Sequence, residues 1–217
     1  KYLKNNYADW LNGTSDESPL MIHNLMKDRV AEHIGNDTTF FIVIDNLRHD
    51  QWKIIRPVLR ELFNVEHEEL LFSILPTATQ YARNALFAGL MPSEIAKKFP
   101  DKWKKDGDEG GKNLFEKDFL AANLRRLGKD VKFSYNKITN LNAGKKLADQ
   151  FSNLMNNQFN TIVYNFVDML SHARTDMQVI RELAEDDPAY RSLTLSWFEH
   201  SPLYEIFKKI AEKKCKV

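Results

Sequence analysis

Apolar positions along the chain fall into two patterns. Three stretches are nearly unbroken: Thr39–Ile44 (TFFIVI), Leu70–Leu75 (LLFSIL) and Thr161–Val167 (TIVYNFV). Runs of this kind, without alternation, mark strands covered on both faces of a parallel sheet. Elsewhere the apolar residues recur at helical spacing. Leu3, Tyr7, Trp10 and Leu11 lead to Gly13. Ser18 and Pro19 open a second stretch through Leu25, Met26, Val30 and Ile34 to Gly35. Trp52, Ile55, Leu59, Leu62 and Phe63 form a third, with Pro57 kinking or restarting it. Gln80–Ala88 closes at Gly89, and Leu114–Leu127 closes at Gly128. Val131–Tyr135 reads as a short edge strand. Further helices are expected over 175–185, 189–199 and 202–213, the last with Ser201 as N-cap and Pro202 in its first turn. Residues 97–112 are rich in Lys, Asp and Gly with Trp103 the one large apolar group, which predicts an exposed insertion able to serve as a lid. Strands alternating with helices predict an α/β fold, a doubly wound and mostly parallel sheet between helices, preceded by short N-terminal helices.

Composition narrows the class. At about 150 residues per domain, 217 residues make one large domain with a small appendage. The expected division is a helical linker over 1–37 and the α/β domain over 38–217. Lys and Arg number 31 against 30 Asp and Glu, so no global field draws the chain to nucleic acid or anionic lipid. The single cysteine, Cys215, rules out an intrachain disulfide or a cysteine-rich zinc site and suits a reducing compartment, hence the cytoplasm. No apolar run approaches the roughly 18 residues of a membrane span, so no membrane association is expected. The chain starts at Lys1, and Cys215–Val217 look like the start of a strand, so both ends read as cut from something longer.

In open parallel sheets, ligands bind beyond the carboxyl ends of the strands. The expected strand ends deliver Asp45, then Thr77 and Thr79, then Asp168 with His172 four residues on. Oxygen and nitrogen donors of that mixture suit zinc or manganese, and a hydroxyl held by a metal at a helix N-terminus can ionise into a nucleophile. Free amides at residues 80–82 favour an anionic ester there, with Asn84 or Arg83 to hold its other oxygens. Each group also has a plain structural alternative. Asp45 can be a helix cap, Asp168 and His172 a solvated i,i+4 pair, and Thr77 and Thr79 turn residues. His23, His33 and His67 read as surface or packing residues, while His49 and His200 stay undecided.

LPTATQYARNALFAGLMPSEI, residues 75–95, resembles the nucleophile segment of the alkaline phosphatase superfamily, where a Pro-Thr-x-Thr turn opens a helix running to Gly-Leu-x-Pro. IDNLRHDQW (44–52), NFVDMLSHARTD (165–176) and AYRSLTLSWFEHSPL (189–203) narrow the resemblance to the PglZ domain of PorX-type two-component response regulators, over nearly the whole chain. That resemblance implies two zinc ions, with Asp45 and Thr79 on one and Asp168 and His172 on the other. It makes Thr79 the nucleophile and Thr77 the weaker candidate. The family completes its sites with an Asp-His pair after the next strand and a further His, so the alkaline phosphatase-like core is expected to be incomplete at Val217. The implied activity is that of a metal-dependent phosphodiesterase or phosphatase output domain linked to type IX secretion, acting on a nucleotide or oligonucleotide phosphoester. A homodimer and secretion-system regulatory partners are implied with it. The alternative is a non-catalytic regulatory or dimerisation module using Tyr7, Trp10 and the 97–112 insertion. A sulfatase or phosphoglycerate-mutase-like transferase fits the Thr79 segment less well.

Overall fold

The computed structural model describes residues 2–14, 18–104, 107–165, 178, 182 and 185–217. In chain order the elements are α1 (Tyr2–Asn12), short 3₁₀ and π turns between Ile22 and His33, β1 (Thr39–Ile44), α2 (His49–Arg60), α3 (Thr79–Ala88), α4 (Pro92–Lys98) and α5 (Glu116–Arg126). They continue with β2 (Phe133–Ile138), α6 (Leu141–Asp149), α7 (Phe151–Leu154), β3 (Phe159–Tyr164), α8 (Asp187–Glu199) and α9 (Pro202–Glu212). Contacts divide the chain into two bodies: a helical body of residues 1–33 and 67–130, and a sheet body of residues 34–66 and 131–217.

The fold is α/β, with a parallel sheet flanked by helices. The strand order is β1-β3-β2, and Ile44 and Ile138 both pair with Tyr164 at the carboxyl end. All six residues of β3 are buried, so its lack of alternation reflects cover on both faces, as the sequence predicts for a central parallel strand. The edge strand expected over 131–135 runs instead over Phe133–Ile138. At the outer edge of β1, Phe40 N–H donates to Lys216 C=O at 2.9 Å, and Thr39 and Lys216 form a parallel bridge.

One sheet face packs Phe40, Ile162, Tyr164 and Ile138 against Ile55 and Leu59 of α2, Phe198 of α8 and Ile206, Phe207 and Ile210 of α9. Each such side chain taken from water contributes about 1.5–3 kcal/mol. The helices are aimed by their caps. Asp186 Oδ1 accepts from Ala189 N–H at 2.7 Å, and Ser201 Oγ accepts from Tyr204 N–H at 3.2 Å, the latter as predicted. α6 meets α9 through Gly144, where a Cβ would lie 3.0 Å from Pro202, so this close approach needs glycine. Pro57 lies inside α2, which runs through it to Arg60. Gln178, Glu182 and Glu185 apart, the helix expected over 175–185 lies outside the described residues.

The helical body corrects two expectations. Leu70–Leu75 is not a strand: Phe72 makes one isolated parallel bridge to Met21, while Leu70 is 77% and Leu75 56% exposed. Only Ile74 is deeply buried, and Phe72 rests on Trp10 with ring centroids 5.2 Å apart, so the run is used as an extended strap with one anchored residue. The helix expected from Ser18 to Ile34 is broken into 3₁₀ and π turns. Of its buried residues, Met26 and Ala31 lie five apart, and a π turn over Met26–Val30 brings them towards the same side where an α-helix would not. Tyr7 and Trp10, expected as partner surfaces, are taken up inside this body: Trp10 is buried, and the Tyr7 hydroxyl accepts from Leu75 N–H at 2.6 Å.

Candidate functional site

β1 ends at Ile44, and Asp45 N–H continues its ladder with a 3.0 Å bond to Tyr164 C=O. Asn46 then adopts φ 59°, turning the chain out of the sheet. Asp45 therefore stands, partly buried, at the carboxyl end of β1 beside the end of β3. It does not cap α2. The N-cap is Arg48, whose N–H donates to Gln51 Oε1 at 3.0 Å. Here the sequence reading missed a charged lattice. Arg48 pairs with Asp50 at 2.6 Å and with Asp187 at 3.2 Å, and Arg191 reaches Asp50 at 3.4 Å. The Arg48 hydrogen bonds hold the Asp50 carboxyl below the usual carboxylate range. Beneath, Gln51 Nε2 donates to buried Thr194, which donates to Tyr190 C=O, tying α2 to α8.

Thr79 is the first residue of α3, half-buried, and the N-cap is Ala78, which offers no capping side chain. Tyr81 and Ala82 N–H both reach Ala78 C=O, at 2.9 and 3.0 Å. Thr77 is exposed in the preceding turn. The hydroxyl of Thr79 therefore sits at the positive end of a ten-residue helix, where developing negative charge is favoured. Ala82–Ala88 are all buried, and Gly89 ends the helix at φ 58°, where a Cβ would strike the Asn123 amide at 2.7 Å.

Arg83 and Asn84, expected to touch substrate, are 5% and 2% exposed. Arg83 Nε donates to buried Glu116 Oε1 at 2.5 Å. Asn84 Nδ2 donates to Gln80 C=O at 2.7 Å and Lys112 C=O at 3.1 Å, and its Oδ1 accepts from Asn113 at 3.1 Å. Glu116 and Asn113 were missed in the sequence because they lie 33 and 34 residues from Arg83 and Thr79, with no local spacing to signal them. In the 97–112 insertion, Trp103 packs on Tyr81 with centroids 6.1 Å apart, and Asp108–Gly111 are exposed.

Asp168 and His172 lie outside the described residues. The structure brings Thr79, Arg83 and Asn84 together within the helical body, while Asp45 belongs to the sheet body. His23 is buried, and burial pushes its imidazole below the usual range. His33 and His67 are exposed beside Glu32 and Glu69. His49 opens α2, and His200 Nδ1 lies 2.7 Å from Ser196 C=O. Among the described residues no group of three or more His, Cys, Asp or Glu is poised to hold a metal, and no helix is long and apolar enough to cross a membrane.

No curated protein matches the chain significantly. The model of the BREX system PglZ alkaline phosphatase-like domain matches residues 25–213. The chain belongs to the PglZ family. That membership points to a phosphoesterase-type function, with phosphoesters as the substrate class. The PglZ match takes in Asp45, Thr79, Asp168 and His172 alike. The superfamily typically works with metal ions.

Proposed function

We propose that this PglZ domain is a zinc-dependent phosphodiesterase or phosphatase with Thr79 as its nucleophile. The observation that carries the reading is that Thr79 occupies the first position of α3 with Ala78 as the cap, so its hydroxyl is placed at a helix N-terminus without being used to build it. Asp45 supports it as a carboxylate that follows the carboxyl end of β1 and is not the N-cap of α2.

By the motif resemblance, Asp45, Thr79, Asp168 and His172 are the residues that would hold two zinc ions, whose charge would lower the pKa of a coordinated hydroxyl and neutralise phosphoester oxygens. Thr79 Oγ gives up its proton to solvent water and attacks phosphorus. The bond from phosphorus to the leaving alkoxide breaks, and the alkoxide takes up a proton. Water then cleaves the phosphothreonine, restoring the hydroxyl and releasing phosphate or a phosphomonoester. The dipole of α3 favours the anionic ester beside Thr79. Arg83 and Asn84, engaged within the body, serve here to hold α3. On the strength of the motif resemblance, the substrate is a nucleotide or oligonucleotide phosphoester. The domain is the cytoplasmic output of a response regulator tied to type IX secretion, working as a homodimer with regulatory partners of that system.

The test is hydrolysis of bis(p-nitrophenyl) phosphate and short oligonucleotides by the intact protein, stripped of metal and then reloaded with zinc. Turnover is expected to return with zinc and to fall at least about a thousandfold in Thr79→Ala. Turnover that is indifferent to metal removal, or unchanged in Thr79→Ala, refutes the assignment.

A further inference from the structure

The first turn of α3 is gripped by a side-chain amide from outside the helix, that of Asn113. Asn113 Nδ2 donates to Thr79 C=O at 3.2 Å, to Asn84 Oδ1 at 3.1 Å and to Glu116 Oε1 at 3.0 Å, so two hydrogens are shared among three acceptors. Asn84 in turn donates to Gln80 C=O, the next carbonyl along. Glu116 closes the ring through Arg83, one turn further into α3. The carbonyl of Thr79 itself is thereby tied to the segment that leads from the 97–112 insertion into α5.

Apolar side chains would join α3 to α5 with less desolvation than a buried Arg–Glu pair demands. What the polar ring adds is register: it fixes α3 along its own axis, and hydrogen bonds lose strength within a few tenths of an ångström where apolar contacts slide. Helix termini are also where backbone opens first, and a nucleophile at the first helical position inherits that looseness unless something outside the helix holds it.

We infer that Asn113 is the positioning residue for Thr79, holding its backbone so that the hydroxyl keeps a reactive orientation, and that it couples the 97–112 insertion to the nucleophile. The inference rests on the phosphoesterase reading above. It is tested in the intact protein with Asn113→Ala, Asn113→Asp, Thr79→Ala and, as a control at the far end of the same helix pair, Asn123→Ala. Each is assayed with bis(p-nitrophenyl) phosphate at saturating zinc, per folded molecule, and by hydrogen exchange of the Tyr81 and Ala82 amides. Both Asn113 variants are expected to lower kcat by about 10- to 100-fold with KM unchanged, as small misplacements of a reacting group do. Exchange at Tyr81 and Ala82 should quicken by about tenfold. Asn123→Ala should lower the melting temperature while leaving kcat and those two amides as they are. Unchanged exchange at Tyr81 and Ala82 in the Asn113 variants overturns the clamp whatever the activity does. Quickened exchange with unchanged kcat, in a protein that Thr79→Ala inactivates, overturns the positioning role alone. Full turnover in Thr79→Ala removes the nucleophile assignment and the positioning role together.

Discussion

The two bodies hold their principal helices by opposite chemistry. In the sheet body, α9 lays Leu203, Ile206, Phe207 and Ile210 into an apolar cluster, and its polar contacts lie mostly at its ends. In the helical body, α3 buries an arginine and an asparagine near the start of its buried run and is pinned there by Asn113 and Glu116. Its other end is held by Arg126, which donates to the Ala88 carbonyl, with Asn123 filling the space above Gly89. Apolar packing sets how deeply a helix sinks, whereas a closed polar ring sets where it stops along its axis. The helix that starts at Thr79 is the one fixed in the second way.

The contrast is broken most directly at Glu116. Glu116→Ala leaves Arg83 buried without its carboxylate partner and is expected to cost about 3–5 kcal/mol, whereas the double change Arg83→Met with Glu116→Leu should be close to neutral. Urea unfolding of both distinguishes them, and a small effect of Glu116→Ala would mean that the pair does not hold α3. In the sheet body the matching change is Ile162→Ala, at a fully buried position of β3, expected to cost about 2–4 kcal/mol, with Ile162→Leu under about 1.5. Equal losses from Leu and Ala would show that shape and not volume governs that core. A rim contact should matter less. Asp186→Ala, which removes the cap of α8, is expected to lower stability by about 1 kcal/mol in the same measurement, with restoration by Asn. The last effect is confined to alkaline pH. Burial pushes the Tyr164 phenol from 10.0 up to about 12. The folded state therefore keeps a proton that the unfolded chain releases. Its stabilisation is complete below pH 10 and is lost as pH rises through about 12. Tyr164→Phe should flatten that part of the stability curve, and an unaltered alkaline slope would show that Tyr164 does not titrate there.

Much of the sheet body was legible because its signals are local. TFFIVI predicts β1 to the residue, and Ser201 with Pro202 marks the start of α9. The same rule misread LLFSIL, since an apolar run marks burial or contact without saying whether a sheet supplies it. Here Trp10 and Met21 do. The helix at Thr79 was legible from its turn chemistry and its closing glycine. The ring around it was not, because Asn113 and Glu116 join α3 across some thirty residues, and a single sequence carries no mark of a pairing at that distance. The start of α2 at Arg48 was hidden for another reason: arginine is a poor capping residue, and only the bond from its N–H to the Gln51 side chain marks the position.

The strand order has a consequence in time. β1 and β2 flank β3, so Thr39 must wait for Phe159, 120 residues later (159 minus 39), before its ladder can form. At synthesis rates of about 5–20 residues per second, TFFIVI spends roughly 6–24 s without its partner strand. An uncharged, β-prone hexapeptide in that condition invites pairing with other chains. Newly made protein should therefore be most vulnerable to aggregation during this interval, and a charge placed in β1 would ease that hazard only by unsettling the finished sheet.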